Sequence, residues 1–239
     1  MKRKFLIFLL IIIVTIGIVL LIYFLSRNKT SNYKDKKGEF LYKACSIKEP
    51  YNHPRFIKNV ITPEEAKVII KWAKPHLGDA EIITYSRKDL KHRNNKVAWL
   101  PKSHYLSKKI INKTATLTKM PIKNFEAVQI CYYAPGNFFN YHQDQCFDTG
   151  KPCKKETEDR GGARVYNLLL YLNDDFTGGE TEFPKLNKKY KLPIGDGILW
   201  DMLNVDRNQV HPLAEHAGLK VKSGEKWIAN IWSRSGTFV

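Results

Sequence analysis

In the run Tyr141-His142-Gln143-Asp144, an imidazole and a carboxylate stand two residues apart. On a β-strand or at its end, that spacing turns both side chains to one face. Together they make two-thirds of a facial triad, which holds Fe(II) and leaves three positions open for oxygen and a chelating cosubstrate. A lone His-x-Asp triplet is weak evidence, so the reading depends on a third ligand from a distant strand. Two candidates exist, His211 and His216. His211 stands beside Pro212 and reads as a loop histidine, its distance from the site left open. His216 opens the run HAGLKVKSGEKWIANIW, in which Lys226 follows ten residues later. Lys226 sits amid Trp227, Ile228 and Ile231, and a buried ammonium without a partner is costly. It asks for an anion, such as the far carboxylate of a 2-oxo diacid whose other end chelates the metal. The plainer alternative is a lysine that snorkels from a strand edge.

Four short β-rich runs would position these residues: 126–133 (EAVQICYY), 165–172 (VYNLLLYL), 197–202 (GILWDM) and 226–232 (KWIANIW). Clusters of Gly, Pro, Asn and Asp separate them. Helices come first. Thr62-Pro63-Glu64-Glu65 is a helix start, with Thr62 as N-cap, Pro63 at the first position and Glu65 closing a capping box. Ala66, Ile69, Ile70, Ala73 and Leu77 follow at helical spacing, and Pro75 marks the end region. A second helix is expected between Ser103 and Thr118, with Leu106, Ile110 and Leu117 on one side. Helices followed by strands predict an α+β domain whose catalytic half is a β-sandwich or jelly roll.

At the front, residues 5–25 read FLIFLLIIIVTIGIVLLIYFL without one charge. At 1.5 Å per residue, such a helix spans roughly 30 Å, the thickness of a bilayer's hydrocarbon core. The run ends in Tyr23-Phe24-Leu25-Ser26-Arg27, which offers no small-residue cleavage site, so it reads as an uncleaved signal anchor. Residues 1–4 form a short flank, 26–38 a polar, lysine-rich tether, and 39–239 the folded domain. Basic residues on both sides of the apolar run leave orientation undecided by charge.

The 239 residues carry 40 Lys+Arg against 23 Asp+Glu, a net charge of +17. About +7 of this lies in the flank and tether, leaving about +10 on the domain. Its lysines are scattered and not interleaved with aromatics, so no nucleic-acid partner is expected. A mean hydropathy of −0.39 excludes a polytopic membrane protein, and four cysteines are too few for a disulfide scaffold. Cys146 and Cys153 flank CFDTGKPC directly after the His-x-Asp run, where a disulfide would clamp the adjoining loop; the pairing of Cys45 and Cys131 stays open.

Several segments in order resemble the prolyl 4-hydroxylases of the Fe(II)/2-oxoglutarate dioxygenase superfamily. PRFIKNVITPEEAKVIIKWAKPHL resembles the family's first strand and helix, and EAVQICYYAPGNFFNYHQD its strand into His-x-Asp. RVYNLLLYLNDDFTGGETEFP resembles the following strand and Gly-Gly turn. IGDGILWDM resembles the next strand, and HAGLKVKSGEKWIANIW the segment with the last histidine and the lysine. The resemblance covers residues 54 to 233 and implies a double-stranded β-helix core with supporting N-terminal helices, preceded here by a single transmembrane helix. It implies His142, Asp144 and His216 as Fe(II) ligands, Lys226 as the anchor of 2-oxoglutarate, and Tyr133 as a hydrogen-bond partner of the same carboxylate. The chain departs from the pattern at Tyr132, where arginine is frequent, and at Tyr141, where proline is common.

The implied activity is hydroxylation of proline in peptides or proteins with O2 and 2-oxoglutarate, yielding succinate and CO2, with L-ascorbate as reductant. A carboxylate at 144 fills the position that a halogenating relative would leave open for halide. Residues 86–101 (SRKDLKHRNNKVAWLP) fall where the family places a mobile substrate loop, the plainer reading being a solvated loop. Sequons at Asn28 and Asn112, with the lumen-facing habit of related hydroxylases, favour a type II protein with its catalytic domain in the endoplasmic reticulum lumen, or a virion membrane for a viral chain. A lysyl hydroxylase would share every residue discussed. A nucleic-acid demethylase would hold 2-oxoglutarate with arginine in place of Lys226. A non-catalytic anchored binding or virion-surface protein would be expected to lose a ligand. Oligomeric state is not readable.

Overall fold

The computed structural model describes residues 44–80, 92–145 and 157–239. The apolar run at 5–25, the tether, the Asn28 sequon, Cys146, Cys153 and residues 86–91 lie outside them. Among the described residues, no helix is long and apolar enough to cross a membrane.

The strands are β1 (Arg55–Ile57), β2 (Gly78–Asp79), β3 (Lys96–Leu100), β4 (Val128–Tyr133), β5 (Phe139–His142), β6 (Arg164–Tyr171) and β7 (Thr177–Gly178). They continue with β8 (Thr181–Phe183), β9 (Lys188–Tyr190), β10 (Gly197–Asp201), β11 (His216–Gly218), β12 (Val221–Ser223) and β13 (Lys226–Arg234). A seven-stranded antiparallel sheet runs β1-β10-β6-β13-β4-β3-β2, and a four-stranded one runs β5-β11-β8-β9. They are the two layers of a jelly-roll core, with β12-β7 as a small separate pair.

Helix α1 (Pro63–Ala73) starts as its capping box demands. Glu65 N–H donates to Thr62 Oγ1 at 3.3 Å, and Thr62 N–H to Glu65 Oε2 at 2.9 Å. It ends at Ala73 and passes into a 3₁₀ turn, Lys74–His76, since Pro75 has no N–H to continue it. Helix α2 (Tyr105–Thr118) starts at His104, whose Nδ1 accepts from Leu106 N–H at 3.2 Å. The helices cover one face of the large sheet. Ala66, Ile69, Leu106 and Ile110 share a core with Leu168, Leu170, Ala229 and Ile231. The other face, with Leu169, Tyr171, Ile228 and Trp232, turns to the small sheet. Every residue of β6 is buried, which explains why it is apolar but for Arg164 and Asn167: a strand covered on both faces loses the polar alternation.

Two expectations need correction. The tail of 86–101 is not loop, because Lys96–Leu100 forms β3 against β4, burying Val97, Ala98 and Leu100. The polar stretch before it masks a five-residue strand. β2 and β3 also lie between the helices and complete one edge of the large sheet, whereas β1, at the other edge, is the strand expected before the first helix. Cys45 and Cys131, whose pairing the sequence leaves open, are both free and buried. At the Asn112 sequon, Asn112 is exposed, but Thr114 is buried and its hydroxyl donates to Ile110 O at 2.8 Å.

Candidate active site

β5 ends at His142 and β11 begins at His216, and these two residues pair directly across the small sheet. Their rings lie 4.3 Å apart between centroids, tilted by 54°. Asp144 follows just past the strand end, with Oδ1 at 3.5 Å from His142 Nε2 and Oδ2 at 3.7 Å from His216 Nε2. Each of the three offers one ligand atom within 4.8 Å of the others. His142 Nδ1 lies 2.7 Å from Asn140 O, and His216 Nδ1 3.1 Å from Ala214 O. A carbonyl only accepts, so the proton of each ring sits on Nδ1 and the Nε2 lone pair faces inward. Burial first, then the neighbouring His142, pushes His216 down to about 4, so its ring is neutral at neutral pH. Burial alone would raise the Asp144 carboxyl. The positive charge the two imidazoles carry when protonated, with that of Arg164, outweighs it and holds the group well below the usual carboxylate range. Two imidazoles and one carboxylate, converging in this way, are a fitting donor set for Fe(II).

Two donors that the sequence reading missed fix the carboxylate. Asn167 Nδ2 and Trp232 Nε1 each lie 3.0 Å from Asp144 Oδ2. Asn167 was detectable as the one polar residue inside VYNLLLYL. His211 is fully buried but points elsewhere. Its Nε2 meets Glu49 O at 3.0 Å, its Nδ1 accepts from Leu213 N–H, and its ring stacks on Tyr51. Only its backbone carbonyl reaches toward the site, accepting from Gln143 Nε2 at 3.2 Å.

The triad opens into a cavity of about 590 Å³, whose lining includes Gln129, Tyr133, Thr181, Lys226 and Asn230. Lys226 pairs with Tyr133 across β13 and β4, and its Nζ lies 5.0 Å from the Tyr133 ring centre. Lys226 is 0% exposed, and its Nζ has no hydrogen-bond partner. Burial pushes it down to about 8. The stem passes the Gly178-Gly179 turn, where a Cβ on Gly179 would stand 3.3 Å from Lys226 Cδ and 2.9 Å from Val221. Positive φ at both glycines and this lack of room explain the Gly-Gly pair. Tyr133 is buried, which raises its phenol and keeps it a neutral O–H donor. Tyr132 and Tyr141 do not line the cavity; their hydroxyls bond Glu225 and Glu182.

A family model for the 2OG-Fe(II) oxygenase superfamily matches residues 128–234. Over 202 residues the chain is 37% identical to a protein of Acanthamoeba polyphaga mimivirus named "Putative prolyl 4-hydroxylase", covering 84% of this chain and 81% of that one. The chain belongs to the prolyl 4-hydroxylase family of that superfamily. It is 30% identical to prolyl 4-hydroxylase 1 of Arabidopsis thaliana over 76% of this chain and 69% of the other. Among solved structures, it is similar to the viral collagen prolyl hydroxylase of Paramecium bursaria chlorella virus 1 in its 2OG complex. That match has a TM-score of 0.59 and 30% identity, covering 76% of this chain and 95% of the other. As a member of this prolyl 4-hydroxylase family, the protein is an Fe(II)/2-oxoglutarate-dependent dioxygenase.

Proposed function

We propose that the protein is a membrane-anchored peptidyl-prolyl 4-hydroxylase. The observation that carries the reading is the buried Lys226 ammonium, lacking a hydrogen-bond partner in the same cavity as the His-Asp-His cluster. A dicarboxylate reaching from metal to lysine would satisfy it. His142, Asp144 and His216 hold Fe(II); Lys226 pairs with the distal carboxylate of 2-oxoglutarate, and Tyr133 donates to the same group. When bound, Fe(II) and 2-oxoglutarate supply the oxidising power to place one oxygen of O2 on a substrate C–H bond, releasing succinate and CO2. The chain's part is to present two lone pairs and a carboxylate on one side and to exclude water from the lysine end. Ascorbate serves as reductant between turnovers, as is typical of the family. The names of the relatives support a proline-containing peptide as substrate.

A peptide panel containing proline and lysine, incubated with Fe(II), 2-oxoglutarate and ascorbate, tests this by mass spectrometry. One oxygen gained at proline is expected; gain at lysine alone would replace the reading with a lysyl hydroxylase, and no gain on any peptide counts against catalysis.

Residues 5–25 serve as the anchor and 26–38 as the tether of a type II protein, its domain 39–239 in the endoplasmic reticulum lumen. A 21-residue charge-free run supports this. Deleting residues 1–37 is expected to move the protein from the membrane pellet to the supernatant with activity retained, and the full chain in sealed microsomes is expected to resist protease. Digestion without detergent would overturn the lumenal orientation.

A further inference from the structure

Behind Asp144 lies a second charged cluster that the proposed chemistry does not use. Glu126, two residues before β4, is 0% exposed and sits between Arg164 at the start of β6 and Arg234 at the end of β13. The three strands are neighbours in the order β6-β13-β4, and Arg234 stands opposite Arg164 in the ladder. Arg164 grips Glu126 with two bonds, Nε to Oε1 at 2.7 Å and Nη2 to Oε2 at 2.9 Å. Arg234 Nε reaches the same Oε1 at 2.7 Å, and its Nη1 meets Gly162 O at 2.9 Å. Burial would raise the Glu126 carboxyl, but Arg164 and then Arg234 outweigh it and lower it to about 2, so it stays ionised.

A buried Arg–Glu–Arg cluster is a poor device for stability alone, because apolar residues of similar volume commonly serve as well or better. Its remaining contacts give it another use. The Arg164 guanidinium lies 3.8 Å over the Trp232 ring, and Trp232 Nε1 donates to Asp144 Oδ2. Arg164 Nη1 also reaches the Asp144 backbone carbonyl at 3.4 Å. One guanidinium thus touches both the main chain of Asp144 and the indole that orients its carboxylate.

We propose that Glu126 is a positioning residue for the metal site, fixing Arg164 so that Arg164 and Trp232 hold Asp144 in its binding orientation. The proposal rests on the reading of Asp144 as a metal ligand. Groups that orient metal ligands typically contribute about 10- to 100-fold to metal affinity. Glu126→Gln removes the charge that fixes Arg164. Arg164→Lys keeps an ion pair with Glu126, so no buried charge is left alone, but has neither the planar face for Trp232 nor the fork for the Asp144 carbonyl.

The test titrates Co(II) alone, as a spectroscopic stand-in for Fe(II), into the full chain and both variants, with thermal unfolding of each metal-free protein measured alongside. Both variants are expected to bind Co(II) at least about 10-fold more weakly, with an altered visible spectrum that reports changed coordination. Folded Arg164→Lys with wild-type Co(II) affinity and spectrum would overturn the proposal even if Glu126→Gln fails to fold. Asp144→Ala serves as the reference: if it binds Co(II) like the wild type, the metal-ligand reading fails too. If it loses binding while both other variants keep it, only the role of Glu126 is lost.

Discussion

His216→Ala, His142→Ala and Asp144→Ala are each expected to abolish succinate release from 2-oxoglutarate, whereas His211→Ala retains most of it. The two histidines next to the site differ in what their rings do. His216 directs Nε2 toward Asp144 and His142, with Nδ1 held by Ala214 O. His211 spends both ring nitrogens on Glu49 O and Leu213 N–H, and meets the site only through its carbonyl, which alanine keeps. His211→Ala should therefore cost stability, roughly 1–3 kcal/mol for two broken buried hydrogen bonds, and little turnover. Removing one of three donors leaves two, too few to hold the ion against water. Activity assays with Fe(II) in excess, paired with melting curves, separate the effects. A dead His211→Ala beside an active His216→Ala reverses the ligand assignment.

Features legible in the sequence were those with short-range grammar. The Thr62 cap is written within four residues, and His142 with Asp144 within three. The placement of β6 and β13 followed from apolar runs long enough to cross a sheet buried on both sides. His216 and Lys226 stood out as candidates because a titratable residue interrupts, or opens, such a run. What escaped was fixed by contacts between distant segments. Glu126 meets Arg164 38 residues away and Arg234 108 away, and each, read locally, is an ordinary charge at a strand end. Trp232 reads as core, although its indole N–H serves Asp144. β3 was hidden because its five residues follow a polar stretch, and its pairing with β4 cannot be read from period alone.

Lys226→Ala is expected to raise the 2-oxoglutarate requirement by roughly 30-fold or more while leaving metal affinity nearly unchanged. A charge-assisted bond in a poorly solvated pocket is worth roughly 2–5 kcal/mol when one partner is removed, and 2 kcal/mol is about 30-fold. Lys226→Arg should rescue only partly, because the stem is already confined by the Gly178-Gly179 turn and a planar fork needs more room. The burial of Lys226 adds a signature in pH. Burial lowers Lys226 from 10.5 to about 8, so between those values the unfolded chain binds more protons than the folded one. Stability of the ligand-free protein gains from this residue as pH rises through that window. Lys226→Met, which removes the charge, is accordingly expected to melt higher than the wild type at pH 7, with the gap closing toward pH 10.5. Binding runs the other way, since a carboxylate favours the charged lysine and its pKa rises in the complex. 2-Oxoglutarate affinity should be flat below about pH 8 and weaken by up to about tenfold per unit above it, a slope that Lys226→Met lacks. Calorimetric titration at several pH values measures it directly. An unchanged 2-oxoglutarate dependence in Lys226→Ala would place the carboxylate anchor elsewhere in the cavity.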